Sequence, residues 1–379
     1  MILIAVFGWG FTLLGACGAL YALLAAASAE RFAGRPAGAA RAFPAVSLLK
    51  PLHGDEAALE TSLETFFVQD YPGPVQLVFG VNRAGDGAVA VVERLRARHP
   101  AADAVLVVEA RRSGANPKIS NLAGMRQAAR HGVLVQSDSD IAVAPDYLRK
   151  LAAALEPADV GAATCVYTGW PAAGLASRLS AMGITYHFLP NVMSALALGL
   201  AEPCFGSTIA IKAPVLDAIG GFDAFADVLA DDNEVGRATR AKGHKVVLPP
   251  FAVRHACTDA NFGEWLKHEL RWMRTIRTVN PAGHVGSVVT HAIPLALLGA
   301  ILSGFTVFSL AVLAATVIAR AVLKWRIDAL FAGAAGPHWL LPVRDVLSFG
   351  VFLMSLFGGS VVWQDRRLHV ERDGVLSQW

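Results

Sequence analysis

Charge is scarce in this chain. Aspartate, glutamate, lysine and arginine make up 17% of its 379 residues against 54% hydrophobic, and mean hydropathy is +0.47. That balance is too apolar for an ordinary soluble enzyme of this size. The first 29 residues carry no charge at all, a length sufficient for a spanning helix. Cysteine is sparse too. Cys17, Cys165, Cys204 and Cys257 are widely separated and lack metal-type pairing, which excludes a disulfide framework and fits a reducing compartment. Net charge is only +3, and the basic residues form no footprint for nucleic acid.

What the sequence has instead is apolar length. Met1–Ala29 is preceded by no basic residue, whereas Arg31, Arg35 and Arg41 follow it. An uncleaved anchor with the next domain in the cytoplasm is therefore expected over a cleaved signal peptide. Residues 30–43 read as a juxtamembrane linker, and 44–283 as a cytoplasmic domain. Within it, Leu175–Leu200 carries only Arg178 and His187 and is interrupted at Pro190-Asn191, so a segment lying on the membrane is expected rather than a span. Residues 284–379 read as a C-terminal transmembrane region and tail. Val288–Ala319 as one helix would be about 48 Å long against a hydrocarbon core of about 30 Å, so it tilts and protrudes or turns at Ser303-Gly304. Trp339–Trp363 is apolar but holds Arg344 and Asp345, which must pair with each other or sit near the interface. Three or four membrane passages are expected.

Between these segments, short apolar runs alternate with amphipathic ones. Val46–Leu52, Val75–Val81, Ala104–Val108 and Val133–Val135 read as strands; Glu56–Val68, Ala88–Arg98 and Ile119–Arg130 read as helices. Gly161–Tyr167, Ile209–Ile211 and Val246–Leu248 read as further strands. This alternation predicts an α/β fold with a parallel, doubly wound sheet. The run Val133-Leu134-Val135 ends in Gln136-Ser137-Asp138-Ser139-Asp140. Asp138 and Asp140 thus fall beyond a strand's carboxyl end, where open α/β sheets bind ligands. Two carboxylates one residue apart suit a hard cation such as Mg²⁺ or Mn²⁺. Alone, the motif equally suits a solvated acidic turn.

Three more segments complete an ordered set: Gly114-Ala115-Asn116-Pro117-Lys118-Ile119-Ser120-Asn121, Leu229-Ala230-Asp231-Asp232, and His268-Glu269-Leu270-Arg271-Trp272. With Asp86 and Asp138-Ser139-Asp140, this resembles the family-2-type glycosyltransferase pattern of Asp, Asp-x-Asp, an acidic pair and Gln-x-x-Arg-Trp. Within it, the chain resembles ceramide glucosyltransferases and bacterial hopanoid-biosynthesis glycosyltransferases over about Val46–Arg277. The resemblance implies a GT-A-type mixed sheet with transmembrane helices on both sides, and inverting transfer from a UDP-sugar donor to the hydroxyl of a membrane lipid acceptor. It implies a divalent metal, Mg²⁺ or Mn²⁺, held by Asp138 and Asp140. Asp86 would hold uracil or ribose, Asp232 would be the general base, and Asp231 would support it, although the two could exchange roles. Asn116 and Lys118 would approach the nucleotide, and Arg271 and Trp272 would face the diphosphate and the acceptor. His268 stands where the pattern has Gln or Arg, a departure from it. The enzyme would sit in a bacterial inner membrane, multi-pass, with its catalytic domain facing the cytoplasm.

Each residue has a plainer reading. Asp86 in Gly85-Asp86-Gly87 suits an ordinary turn, and Lys118 a surface lysine at a helix start. Lys267, Arg271, Arg274 and Arg277 suit a basic face lying on anionic lipid. His187 and His255 suit structural histidines. A processive polysaccharide synthase would use more membrane helices, and a transporter or scaffold has no need of the four motifs together. The stretch Gly183–Leu200 with Cys204-Phe205-Gly206-Ser207-Thr208 looks closer to the hopanoid enzymes, which implies UDP-N-acetylglucosamine as donor, with UDP-glucose and ceramide as the alternative.

Overall fold

The computed structural model describes residues 2–109, 114–331, 333–357, 360–363, 366–370 and 376–378. Parts of the expected C-terminal tail, including 371–375, lie outside the described residues. The chain divides into two compact units. One is built on Pro36–Tyr167 and Pro203–Thr258, the other on Met1–Arg35, Thr168–Glu202 and Asp259–Val361.

From Val46 to Cys257 the strands are β1 (Val46–Pro51), β2 (Val75–Val81), β3 (Asp103–Val108), β4 (Val133–Gln136), β5 (Ile141–Ala142) and β6 (Val160–Thr164), followed by β7 (Val166–Pro171), β8 (Ile209–Lys212), β9 (Lys245–Val247) and β10 (Ala252–Cys257), all within the first unit except β7, which leaves it after Tyr167. The main sheet runs β3-β2-β1-β4-β8-β6-β9. Its first four strands are parallel, with Leu48 opposite Leu77 on one side and Val135 on the other. β8 runs antiparallel to both β4 and β6, so the sheet is mixed. The side chains of β1 alternate between two cores. Leu48 packs with Phe79, Val135 and Leu63 on one face; Leu49 packs with Val78, Leu134 and Ile119 on the other. Burial on both faces explains why these strands read as near-continuous apolar runs. The run expected as one strand over Gly161–Tyr167 is two, because β6 ends at Thr164 and β7 starts at Val166. β5 and β10 pair antiparallel in a separate small sheet, with Ile141 opposite His255.

The second unit is helical. The N-terminal helix Ile2–Ala33 and the helix Val307–Leu330 are each long and apolar enough to cross a membrane. Pro281–Thr290 and Ala292–Leu302 pass the same test together but are bent by 61°, giving two candidate spans or up to three among the described residues. Val288–Ala319 is not one helix: the chain turns at Ser303–Gly304, where Gly304 takes a φ of +71°. The N-terminal helix approaches Ala292–Leu302 through glycine. A Cβ on Gly15 would lie 2.7 Å from the Ala296 Cβ, and one on Gly18 2.6 Å from the Ala292 Cβ. Small residues permit such close helix contact where lipid offers no hydrophobic drive. Outward-facing Leu3, Leu13, Leu20, Val307 and Ile318 are exposed.

At the start of Trp339–Trp363 a 3-10 turn, His338–Leu340, leads directly into a helix of 15 residues, Leu341–Ser355, the helix itself about 22 Å long. Arg344 and Asp345 on that helix do not pair with each other. Arg344 meets Glu269, and Asp345 meets Arg320. Successive helix positions diverge by about 100°, so neighbours in sequence address different partners. The stretch Leu175–Leu200 is a helix to Gly183, a π-turn over Ile184–Phe188 and a second helix Leu189–Ala197. Ala176, Ser177 and Leu179–Tyr186 are buried within the helical unit, while Leu175, Leu198 and Leu200 are exposed.

Candidate functional site

The site in the first unit is organised by the turn after β4. Ser137 N–H donates to the Leu49 carbonyl, and Ile141 N–H closes the turn onto the Asp138 carbonyl at 3.2 Å. From beneath, Lys50 at the end of β1 is fully buried, and its ammonium donates to the same Asp138 carbonyl at 2.5 Å and to Ser137 Oγ at 3.3 Å. The ammonium also lies 3.9 Å from the centre of the Phe66 ring. Burial pushes the Lys50 pKa down to about 7, against the pull of Asp140 and Asp138. Asp140 is held from the other side. Its carbonyl accepts from Ala256 N–H at 2.8 Å, and its Oδ2 lies 3.1 Å from His255 Nε2. Burial opposes charge on His255, but the Asp140 carboxylate outweighs it and holds the imidazole well above its usual pKa. Tyr167 stacks on His255 at 5.7 Å.

Lys118 joins two of the motif segments. Asn116 caps the helix Pro117–Ala128, accepting from Lys118 and Ile119 N–H, while its amide donates to Asp231 Oδ1 at 3.2 Å and the Val228 carbonyl at 3.0 Å. Lys118 Nζ lies 2.7 Å from Asp138 Oδ1 and 3.6 Å from Asp231 Oδ2. Burial opposes its charge, yet Asp138, Asp231 and Asp232 together raise its pKa. Asp231 and Asp232 open the helix Asp231–Ala241, where acidic side chains complement the dipole. Asp232 Oδ2 accepts from Gly206 N–H and Oδ1 from Asn233 N–H, both at 2.8 Å. Burial, then the charge of Asp231, pushes the Asp232 pKa up to about 6, with Lys118 opposing. Burial also raises Asp138, with Lys118 again opposing.

These groups converge on Gly206. A Cβ there would lie 2.9 Å from Lys118 Nζ, 3.0 Å from Asp138 Oδ2 and 3.6 Å from Asp232 Oδ2. The missing side chain leaves a small cradle between one ammonium and two carboxylates. As a metal site this is partial. Among the described residues no group of three or more His, Cys, Asp or Glu is disposed to hold an ion. The donor chemistry nonetheless fits Mg²⁺ or Mn²⁺, which bind through one or two carboxylates and complete their shell with water and substrate phosphates.

Other expected residues are held by different contacts. Asp86 caps the helix Gly87–Arg98, its Oδ1 accepting from Ala88 N–H at 3.0 Å and Gly54 N–H at 2.7 Å. His268, Arg271 and Trp272 lie on the helix Phe262–Val279 of the other unit. There His268 Nδ1 is 3.3 Å from Asp259 Oδ1, and its ring meets Trp272 edge-on at 4.3 Å. Sequence reasoning missed Lys50. The signal was a lysine inside an apolar strand, since lysine is almost never fully buried unless paired.

The model of the family described as "Glycosyl transferase family 21" matches residues 10–376. Ceramide glucosyltransferase 1 of Caenorhabditis elegans is 26% identical over 251 residues, covering 63% of this chain and 52% of that protein. Ceramide glucosyltransferase 3 of the same organism is 27% identical over 237 residues, covering 61% and 50%. The chain thus spans about half the length of these curated relatives. A mannosyltransferase from Pyrobaculum calidifontis, solved with GDP-Man and Mn²⁺, superposes with a TM-score of 0.55 at 21% identity, covering 93% of this chain and 99% of that one. That likeness gives the fold, which is GT-A.

Proposed function

We propose that this chain, which belongs to glycosyl transferase family 21, moves a sugar from a UDP-sugar to the hydroxyl of a membrane lipid with inversion at the anomeric carbon. The observation carrying this reading is the convergence of Lys118, Asp138 and Asp232 around Gly206. Diphosphate oxygens need cationic partners, and the attacking hydroxyl needs a base; the cradle offers both within a few ångström. Asp232, with a pKa of about 6, is ionised at neutral pH yet basic enough to take the acceptor proton. Lys118 binds a phosphate oxygen; Asn116 and Asp231 hold Lys118 in place, and the Gly206 and Asn233 N–H groups hold Asp232. Asp138 and Asp140 hold the divalent cation, with Lys50 and His255 fixing their turn. A divalent cation held by these two carboxylates would supply Lewis-acid charge for the departing diphosphate. Asp86 meets the uridine, and His268, Arg271 and Trp272 serve the diphosphate and the acceptor.

The enzyme works from a bacterial inner membrane as a multi-pass protein with this unit facing the cytoplasm, where UDP-sugars are available. A hopanoid is the acceptor and UDP-N-acetylglucosamine the donor, from the character of Gly183–Leu200 and Cys204–Thr208. The second reading, glucosylation of ceramide from UDP-glucose, is favoured by the curated relatives. One experiment separates them. Purified full chain is given labelled UDP-glucose and UDP-N-acetylglucosamine with lipid extracts containing or lacking hopanoids, and products are identified by mass spectrometry. Absence of any glycolipid product sinks the reading; a hexosylceramide selects the second.

A further inference from the structure

We propose that Arg344 is a positioning residue that locks the helix Phe262–Val279, and with it His268, Arg271 and Trp272, in its working pose. This rests on the reading that these three residues serve the diphosphate and acceptor. Arg344 is 2% exposed, on a helix of the mainly apolar unit. One of its terminal nitrogens lies 2.8 Å from both oxygens of Glu269, the residue following His268. Its Nε donates to the Leu179 carbonyl at 2.7 Å, and its other terminal nitrogen donates to Ser348 Oγ on its own helix. The guanidinium carbon lies 5.6 Å from the centre of the Trp265 ring, one turn before Glu269. One planar cation thus joins three helices: Leu175–Gly183, Phe262–Val279 and Leu341–Ser355.

Space is reserved for it. A Cβ on Gly183 would fall 1.8 Å from an Arg344 terminal nitrogen, so only glycine at 183 admits this seat. A parallel tie reaches the same helix. Ser180 Oγ donates to Asp259 Oδ2 at 2.5 Å, and Asp259 Oδ1 meets His268. A buried charge is costly, and a buried ion pair is often no more stabilising than apolar side chains of the same volume. Its geometric specificity is what apolar packing lacks, because guanidinium and carboxylate meet at fixed angles. A helix whose arginine and indole must hold a set pose benefits from that. Asp345 extends the lock, pairing at 2.7 Å with Arg320, which also donates to the Tyr186 carbonyl in the π-turn.

The test uses full chain in lipid nanodiscs, comparing wild type with Glu269→Gln, Arg344→Met, Arg344→Lys and the double variant E269Q/R344M. Readouts are sugar transfer, melting temperature and backbone hydrogen exchange. For E269Q we expect exchange across 262–279 to quicken at least tenfold while Ile2–Ala33 is unchanged, with kcat/KM down at least tenfold; the melting temperature falls because the buried Arg344 charge loses its partner, and the double variant regains part of that fall. R344K should recover part of the transfer, and the double variant should be no worse than R344M, since both remove one contact. If R344M does not fold, the near-isosteric E269Q decides. Unchanged exchange over 262–279 overturns the proposal, as does transfer within twofold of wild type. Faster exchange spread over the whole helical unit also overturns it by marking a merely structural role. A wild type that transfers no sugar while E269Q still shows the local release defeats the proposed function and leaves the lock standing.

Discussion

Lys118 and Asp138 are 20 residues apart in sequence, yet Lys118 Nζ lies 2.7 Å from Asp138 Oδ1. The pair joins the segment Asn116–Asn121 to the Asp-x-Asp turn, and Asp231 approaches the same ammonium at 3.6 Å. Removing the cation leaves carboxylates facing one another. Lys118→Met should therefore lower turnover by about 100-fold, in the range for losing one preorganised electrostatic partner. Lys118→Arg should recover part of it. Both follow from steady-state kinetics, with circular dichroism to verify folding; undiminished turnover in the methionine variant removes Lys118 from the site.

Asp138 and Asp140 are expected to hold the divalent cation. Activity should vanish in excess chelator and return with Mn²⁺ or Mg²⁺. Asp140→Ala should lose activity at every Mn²⁺ concentration tried, and the paramagnetic resonance signal of Mn²⁺ titrated with UDP should show weaker binding. Full turnover in chelator rules out the metal.

The Asp232 pKa of about 6 gives a pH prediction with a definite sign. A base must be deprotonated to accept, so kcat/KM should fall as pH drops through about 6, rather than near the ordinary aspartate value of about 4. Asp231 contributes to that upward shift. Asp231→Asn should consequently move the acid limb to lower pH while leaving a measurable rate. Asp232→Asn should abolish transfer and spare UDP binding. The reverse result, with Asp231→Asn dead and Asp232→Asn active, would exchange their roles.

The parts of this molecule that show in the sequence are those written in local patterns. Strands buried on both faces appear as Val-Leu-Val or Leu-Val-Phe runs, and helices between them appear by their spacing. Distance in sequence hides the rest. A lysine near the end of an apolar strand marks Lys50 as paired, but nothing local names its partner, the Asp138 carbonyl 88 residues on. Arg344 and Asp345 looked like a pair because they are adjacent, but helical geometry turns them toward Glu269 and Arg320, 75 and 25 residues away. The break between β6 and β7 was equally silent, since Cys165 is as buried as the strand residues around it.

Gly206 offers the sharpest probe of the cradle because it changes space without changing charge. Its backbone N–H donates to Asp232 Oδ2, and that bond survives substitution by alanine. Gly206 needs no left-handed backbone conformation, as it is absent from the positive-φ glycines; alanine is therefore tolerated by the chain itself. The added methyl, however, would sit 2.9 Å from Lys118 Nζ and 3.0 Å from Asp138 Oδ2, closer than carbon ordinarily approaches such atoms. Either the ion pair shifts or the space meant for substrate is filled. Gly206→Ala should then keep its melting temperature within a few degrees of wild type, while the KM for the UDP-sugar rises at least tenfold and kcat falls. Gly206→Ser should behave similarly or worse. A Gly206→Ala enzyme with wild-type KM and kcat would show that substrate does not enter between Lys118, Asp138 and Asp232, and the proposed seat of the chemistry would have to move.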